Sequence, residues 1–144
     1  MLECGTSRKE NKMIQIGIQH SGTLEITNNL TAKNIGSGGL DVLATPVIIN
    51  LMEKTAWESV LPFMEADCDT VGTFVEINHI APTPVGSEIS CTSILTNIRG
   101  RELTFDIEVF DNKEKIAYAT HKRFIIKKEP FQQKADNKLI FSEK

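Results

Sequence analysis

Ala44-Thr45-Pro46-Val47-Ile48-Ile49-Asn50-Leu51-Met52-Glu53-Lys54-Thr55-Ala56-Trp57 is the stretch whose reading decides the fold. Set on a wheel at ~100° per residue, Val47, Ile48, Ile49, Leu51, Met52, Thr55, Ala56, Trp57 and Val60 cover a very broad arc, and Asn50 and Lys54 fill the narrow polar remainder. A surface helix carries a narrower apolar stripe, so this pattern predicts a helix wrapped by other elements. Thr45-Pro46 predicts its start: a threonine hydroxyl accepts from a free first-turn amide, and proline lacks an amide that had no partner there anyway. Glu53 projects from the mostly apolar part of the wheel. An acid in that place needs a role or a partner, either by edging past Trp57 to solvent or by pairing with a base.

The chain around this helix has 144 residues, 40% of them hydrophobic and 24% charged, enough for one core and too few for two ordinary domains. Its net charge of -3, with acids and bases interspersed, gives no general reason to bind nucleic acid or an anionic membrane. No run approaches the ~18 apolar residues of a membrane helix, and residues 1–12 are polar without a signal-peptide core, which predicts a cytoplasmic protein. Cys4, Cys68 and Cys91 are isolated, without a C-x-x-C pair, and read as reduced thiols with no metal site.

Ile14, Ile16 and Ile18, then Leu24 and Ile26, alternate as a strand broken at His20-Ser21-Gly22. His20 reads as an exposed turn histidine. Gly36-Ser37-Gly38-Gly39 lies ahead of the helix; without the lysine and spacing of a phosphate-binding loop, it reads as a flexible connection or flap. After an acidic turn over residues 62–70, Val71, Thr73, Val75, Ile77 and His79 share one strand face, taken as the inward one. His79 thus continues an apolar row, as either a hydrogen-bonded core residue or a catalyst.

Residues 81–86 hold two prolines and break the pairing. Strands over residues 88–98, 102–111 and 115–126 follow, joined by hairpins at Arg99-Gly100 and Asp111-Asn112-Lys113. The last strand carries His121 and Arg123 on one face and Tyr118, Phe124 and Ile126 on the other. A bent strand, a flap, one buried helix and a meander predict an α+β hotdog fold, an antiparallel sheet curled around a central helix. Residues 1–12 then form a flexible lead, residues 13–130 the domain and residues 131–144 a surface tail.

Ala44-Thr45, Leu51-Met52-Glu53, the strand from Val71 to His79, and Thr120-His121-Lys122-Arg123 together resemble the fluoroacetyl-CoA thioesterase family of hotdog proteins, from about Gly39 to Phe131. The resemblance implies hydrolysis of an acyl-CoA thioester by a Thr-Glu-His set, here Thr45, Glu53 and His79, with coenzyme A as part of the substrate and no other cofactor. It also implies that Gly72 lies beside the thioester carbonyl, that Arg123 contacts substrate, that Gly39 borders the acyl pocket, and that the enzyme is at least a homodimer. In the fluoroacetate enzyme phenylalanines close the pocket, and those positions fall on Gly36 and Gly39. A broader or different short acyl group is therefore expected. Two rivals stand beside this reading: an acyl-CoA-binding module without catalysis, keeping basic contacts such as Lys122, Arg123 and Lys127, and an enoyl-CoA hydratase. The hydratase needs a histidine soon after an aspartate at the helix lead-in, and Asp41 has none.

Overall fold

The computed structural model describes residues 13–139. Among these residues five strands and three α-helices run in the order β1 (Gln19–Glu25), α1 (Ala32–Ile35), α2 (Thr45–Val60), β2 (Cys68–His79), β3 (Glu88–Arg99), β4 (Glu102–Phe110), β5 (Lys115–Lys127) and α3 (Lys128–Asp136). The strands form one antiparallel sheet in the order β1-β3-β4-β5-β2. The inner face of the sheet curls around α2, burying Val47, Ile48, Leu51, Met52, Thr55, Ala56, Ser59 and Val60 of the helix. Leu95, Leu103, Phe105, Ile107, Ile116 and Ile125 meet them from the sheet. This is the hotdog fold expected from the wide apolar arc of the helix. Asn50 and Lys54 are exposed, while Ile49, Glu53 and Trp57 are half-buried along the rim between them and the core. No helix among the described residues is long and apolar enough to cross a membrane.

Five local expectations are corrected. First, α2 does begin at Thr45, but Ala44 occupies the cap position without a side-chain bond, so the Thr45 hydroxyl is not a cap. The amides of Val47 and Ile48 turn back to the Ala44 carbonyl.

Second, β1 runs unbroken through His20-Ser21-Gly22, and the chain bends earlier, at Gly17, whose φ is 102°. Gly22 is small because the helix presses on it: a methyl there would stand 3.1 Å from Thr55 Oγ1.

Third, β2 begins at Cys68, inside the stretch read as an acidic turn, and carries a bulge. Gly72 pairs with Arg123 and Phe74 with Lys122, leaving Thr73 as the extra residue. A bulge shifts the side-chain alternation by one. Cys68, Thr70 and Gly72 therefore face inward before it, and Val75, Ile77 and His79 after it, opposite the inward Ile125, Arg123, His121, Ala119 and Ala117 of β5. Val71 and Thr73 do not belong to the inner row.

Fourth, the chain after β5 winds into α3, which buries no side chain and lies on the surface as a helix instead of a loose tail. The expectation for residues 1–12 falls outside the described residues. Fifth, Cys91 is free and buried, whereas Cys68 is disulfide-bonded, against the reading of reduced thiols; pairing of distant cysteines depends on proximity in space, which their spacing in the chain does not show.

Candidate active site

Two polar clusters lie at different places along α2. The first is at its N-terminus. Thr45 Oγ1 and His79 Nδ1 are 2.7 Å apart, joining the first residue of the helix to the last residue of β2. His79 Nε2 is buried and has no hydrogen-bond partner among the described residues. Burial pushes the imidazole below the usual histidine pKa, and the Ala81 backbone, near the ring though outside bonding geometry to Nε2, acts against this shift. His79 is thus neutral near pH 7 and can take a proton from a hydroxyl. The positive end of the α2 dipole lies at the same spot.

The second cluster is about 12 Å further along the axis, eight residues into the helix at 1.5 Å each. Glu53 reaches over Gly72: a methyl at position 72 would stand 2.5 Å from Glu53 Oε2, and 3.4 Å from both Arg123 Nη1 and His121 Cε1. Only glycine leaves room for this carboxylate. Arg123 is buried, with Nε donating to Thr70 Oγ1 at 2.8 Å and Nη2 to the Thr70 carbonyl at 3.0 Å. Burial lowers its pKa, while the Glu53 and Asp69 carboxylates favour its charged form, which a guanidinium retains in any case. Trp57, one turn after Glu53, fixes this end of the helix to β2 by donating Nε1–H to Asp69 Oδ1 at 2.7 Å.

The structure therefore brings Thr45 to His79, and Glu53 to Gly72 and Arg123, but does not bring the two groups together within one chain. Gly72 and His79 are separated along β2 by roughly 20 Å at ~3.3 Å per residue. Gly39 lies elsewhere, in the exposed turn after α1, with open space around its Cβ position. Gly36 ends α1 at φ 95°, which explains the glycine there. Sequence reasoning assigned nothing to His121, which is fully buried beside Arg123. The available signal was two polar residues, 121 and 123, in a strand row otherwise filled by Ala117, Ala119 and Ile125. His20 lies within β1 and not in a turn, half-buried, with its Nε2 3.2 Å from Glu58 Oε1 on the helix. Burial drives the Cys91 thiol up to about 11, which makes it inert as a nucleophile.

The chain and its fold are similar to those of known proteins. The family model described as fluoroacetyl-CoA-specific thioesterase matches residues 26–129. The fluoroacetyl-CoA thioesterase of Streptantibioticus cattleyicolor is 31% identical over 98 residues, covering 68% of this chain and 70% of that protein. A solved structure of a fluoroacetyl-CoA thioesterase superposes with a TM-score of 0.84 at 24% identity, covering 90% of this chain and 100% of the other. A hot-dog-like protein from Thermanaerovibrio acidaminovorans superposes with a TM-score of 0.82 at 14% identity, covering 90% of this chain and 96% of that one.

Proposed function

Because this chain belongs to the fluoroacetyl-CoA-specific thioesterase family, a family of thioester hydrolases, we propose that it hydrolyses a short-chain acyl-CoA to the free acid and coenzyme A. The observation that carries the reading is the 2.7 Å contact between Thr45 Oγ1 and His79 Nδ1 at the start of a buried helix. Attack on a thioester requires a nucleophile, which is a side-chain hydroxyl, a carboxylate or a water, a group to take the proton of a hydroxyl or water, and donors for the oxygen that becomes negative. Thr45 and His79 supply the first two. The Thr45 amide supplies the third, backed by the helix dipole, since Pro46 has no amide and those of Val47 and Ile48 already donate to the Ala44 carbonyl.

Glu53 joins them from a second copy of the chain. β2 is an edge strand of twelve residues, and its unpaired groups favour addition of another strand. Antiparallel pairing of two β2 edges about a two-fold axis through Glu76 sets the Gly72–Thr73 bulge of one subunit opposite the partner subunit's His79. The Glu53 carboxylate above Gly72 then approaches the partner's Thr45 and His79, and two complete sites form per homodimer. The half-buried rim of Ile49, Glu53 and Trp57 fits a face completed by a partner.

With glycines at 36 and 39, no aromatic ring at those two positions closes over a two-carbon acyl group. The acyl preference is accordingly broader than for fluoroacetyl alone. Thiol release from a panel of acyl-CoA esters tests this reading. Thr45→Ala, Glu53→Gln and His79→Ala each lower release by about 100-fold or more if the three act in acid-base or nucleophilic roles. Wild-type protein that binds the esters without releasing thiol is a binding module instead. A large preference for fluoroacetyl-CoA over acetyl-CoA refutes the broad acyl pocket.

A further inference from the structure

His121 makes two hydrogen bonds that together fix its proton. Nδ1 lies 2.8 Å from the Phe74 carbonyl, which can only accept, so Nδ1 carries the hydrogen. Nε2 lies 3.3 Å from Arg123 Nη1, which can only donate, so Nε2 carries the lone pair. Only the neutral imidazole protonated at Nδ1 makes both bonds. The surroundings favour that form. Burial disfavours the imidazolium most strongly and the Arg123 charge adds to this, while the Phe74 carbonyl and Glu53 act in the other direction. Phe105 of β4 covers the ring, with centroids 6.0 Å apart.

The consequence falls on Glu53. Thr70 holds Nε and Nη2 of Arg123, and His121 holds Nη1. The guanidinium is thereby tied back toward β2 and β5, and Glu53 makes no ion pair or hydrogen bond with another described residue, although its Oε2 and Arg123 Nη1 both stand within 3.4 Å of one point above Gly72. A released guanidinium would close on the carboxylate as a bidentate pair, the geometry that arginine and carboxylates favour. We propose that His121 is a positioning residue for thioester hydrolysis: by accepting from Arg123 it withholds the guanidinium from Glu53, leaving both carboxylate oxygens free for the reaction. This rests on the hydrolase reading above.

The test measures kcat and KM for His121→Asn, His121→Gln, Arg123→Lys and the double variant His121→Asn/Arg123→Lys. Asparagine places an amide near Nδ1 and keeps the bond to Phe74 but loses the acceptor at Nε2, whereas the glutamine oxygen reaches the Nε2 position and keeps the Arg123 bond. The expected result is a kcat loss of roughly 10- to 100-fold for His121→Asn with KM little changed, the range for losing a hydrogen bond to a charged group. His121→Gln recovers most of that loss. The double variant falls no lower than Arg123→Lys alone, because both changes act through one guanidinium. Wild-type kcat in His121→Asn, or losses that multiply in the double variant, overturns the inference while leaving the hydrolase reading intact. Failure of the wild type to release thiol fails the hydrolase reading itself. Nitrogen NMR of the wild-type imidazole decides the geometry even where a variant does not fold, and a proton on Nε2 overturns the inference.

Discussion

The Glu53 carboxylate occupies the space where a side chain at Gly72 would begin, 2.5 Å from the position of its Cβ. The helix and the strand approach so closely here that the acid rests on bare backbone. The glycine is thus a condition for the position of the acid.

Gly72→Ala follows directly. The atom in the way is the far end of a flexible side chain, so Glu53 swings aside and the fold survives. We expect a thermal midpoint within a few degrees of wild type, as for a change well under ~1 kcal/mol, and kcat lowered by about 10-fold or more through misplacement of the carboxylate. Full activity in a folded Gly72→Ala protein would show that the position of Glu53 is irrelevant to turnover.

The Thr45 hydroxyl does not cap the helix, so its bond to His79 is the reason to keep it. Thr45→Ser retains the hydroxyl and is expected to stay within about 10-fold of wild-type kcat, whereas Thr45→Val keeps the shape and loses about 100-fold. Both are measured by thiol release alongside thermal unfolding. Equal activities for the two variants would remove the hydroxyl from the mechanism.

A site shared between subunits predicts complementation. Glu53→Gln and His79→Ala homodimers are each impaired at both sites, but a mixed dimer contains one site with both defects and one with neither. Unfolding and refolding an equal mixture, with random pairing, should restore about a quarter of wild-type activity. No recovery from a mixture that demonstrably exchanges subunits would place all three residues within one chain.

Acid lowers stability through two histidines, His121 fully buried and His79 half-buried. Burial holds His79 and His121 below their ordinary value of 6.5, so the unfolded chain takes up these protons first as pH falls. Their contribution is fully present above pH 6.5 and is lost as pH drops toward the lower folded values. The thermal midpoint should therefore fall between about pH 7 and pH 5, and less steeply in His121→Gln, which lacks one of the two groups. Identical slopes for the two proteins would mean that His121 titrates alike folded and unfolded.

Local pattern was enough to specify much of this protein. The apolar arc from Val47 to Val60 required a wrapped helix, and alternation from Leu103 to Val109 required a strand. Gly100 at φ 64° and the Asp111 side chain accepting from the Lys113 and Glu114 amides made the expected hairpins. These features depend on neighbours a few residues away, so they are written in the chain itself. The resemblance supplied Thr45, Glu53 and His79 as one set.

What tertiary structure alone decided is how those residues are grouped. The bulge at Thr73 turned Gly72 inward, a shift of register that depends on pairing with β5 and leaves no mark in the alternation of β2. The acidic stretch before Val71 became strand for the same reason, since a partner strand supplied its hydrogen bonds. Thr45 meets His79 across 34 residues, and His121 meets the Phe74 carbonyl across 47. Contacts at such separations follow from the curl of the sheet around α2, because it is the path of the folded backbone, and not the order of residues, that sets which polar atoms share an interior.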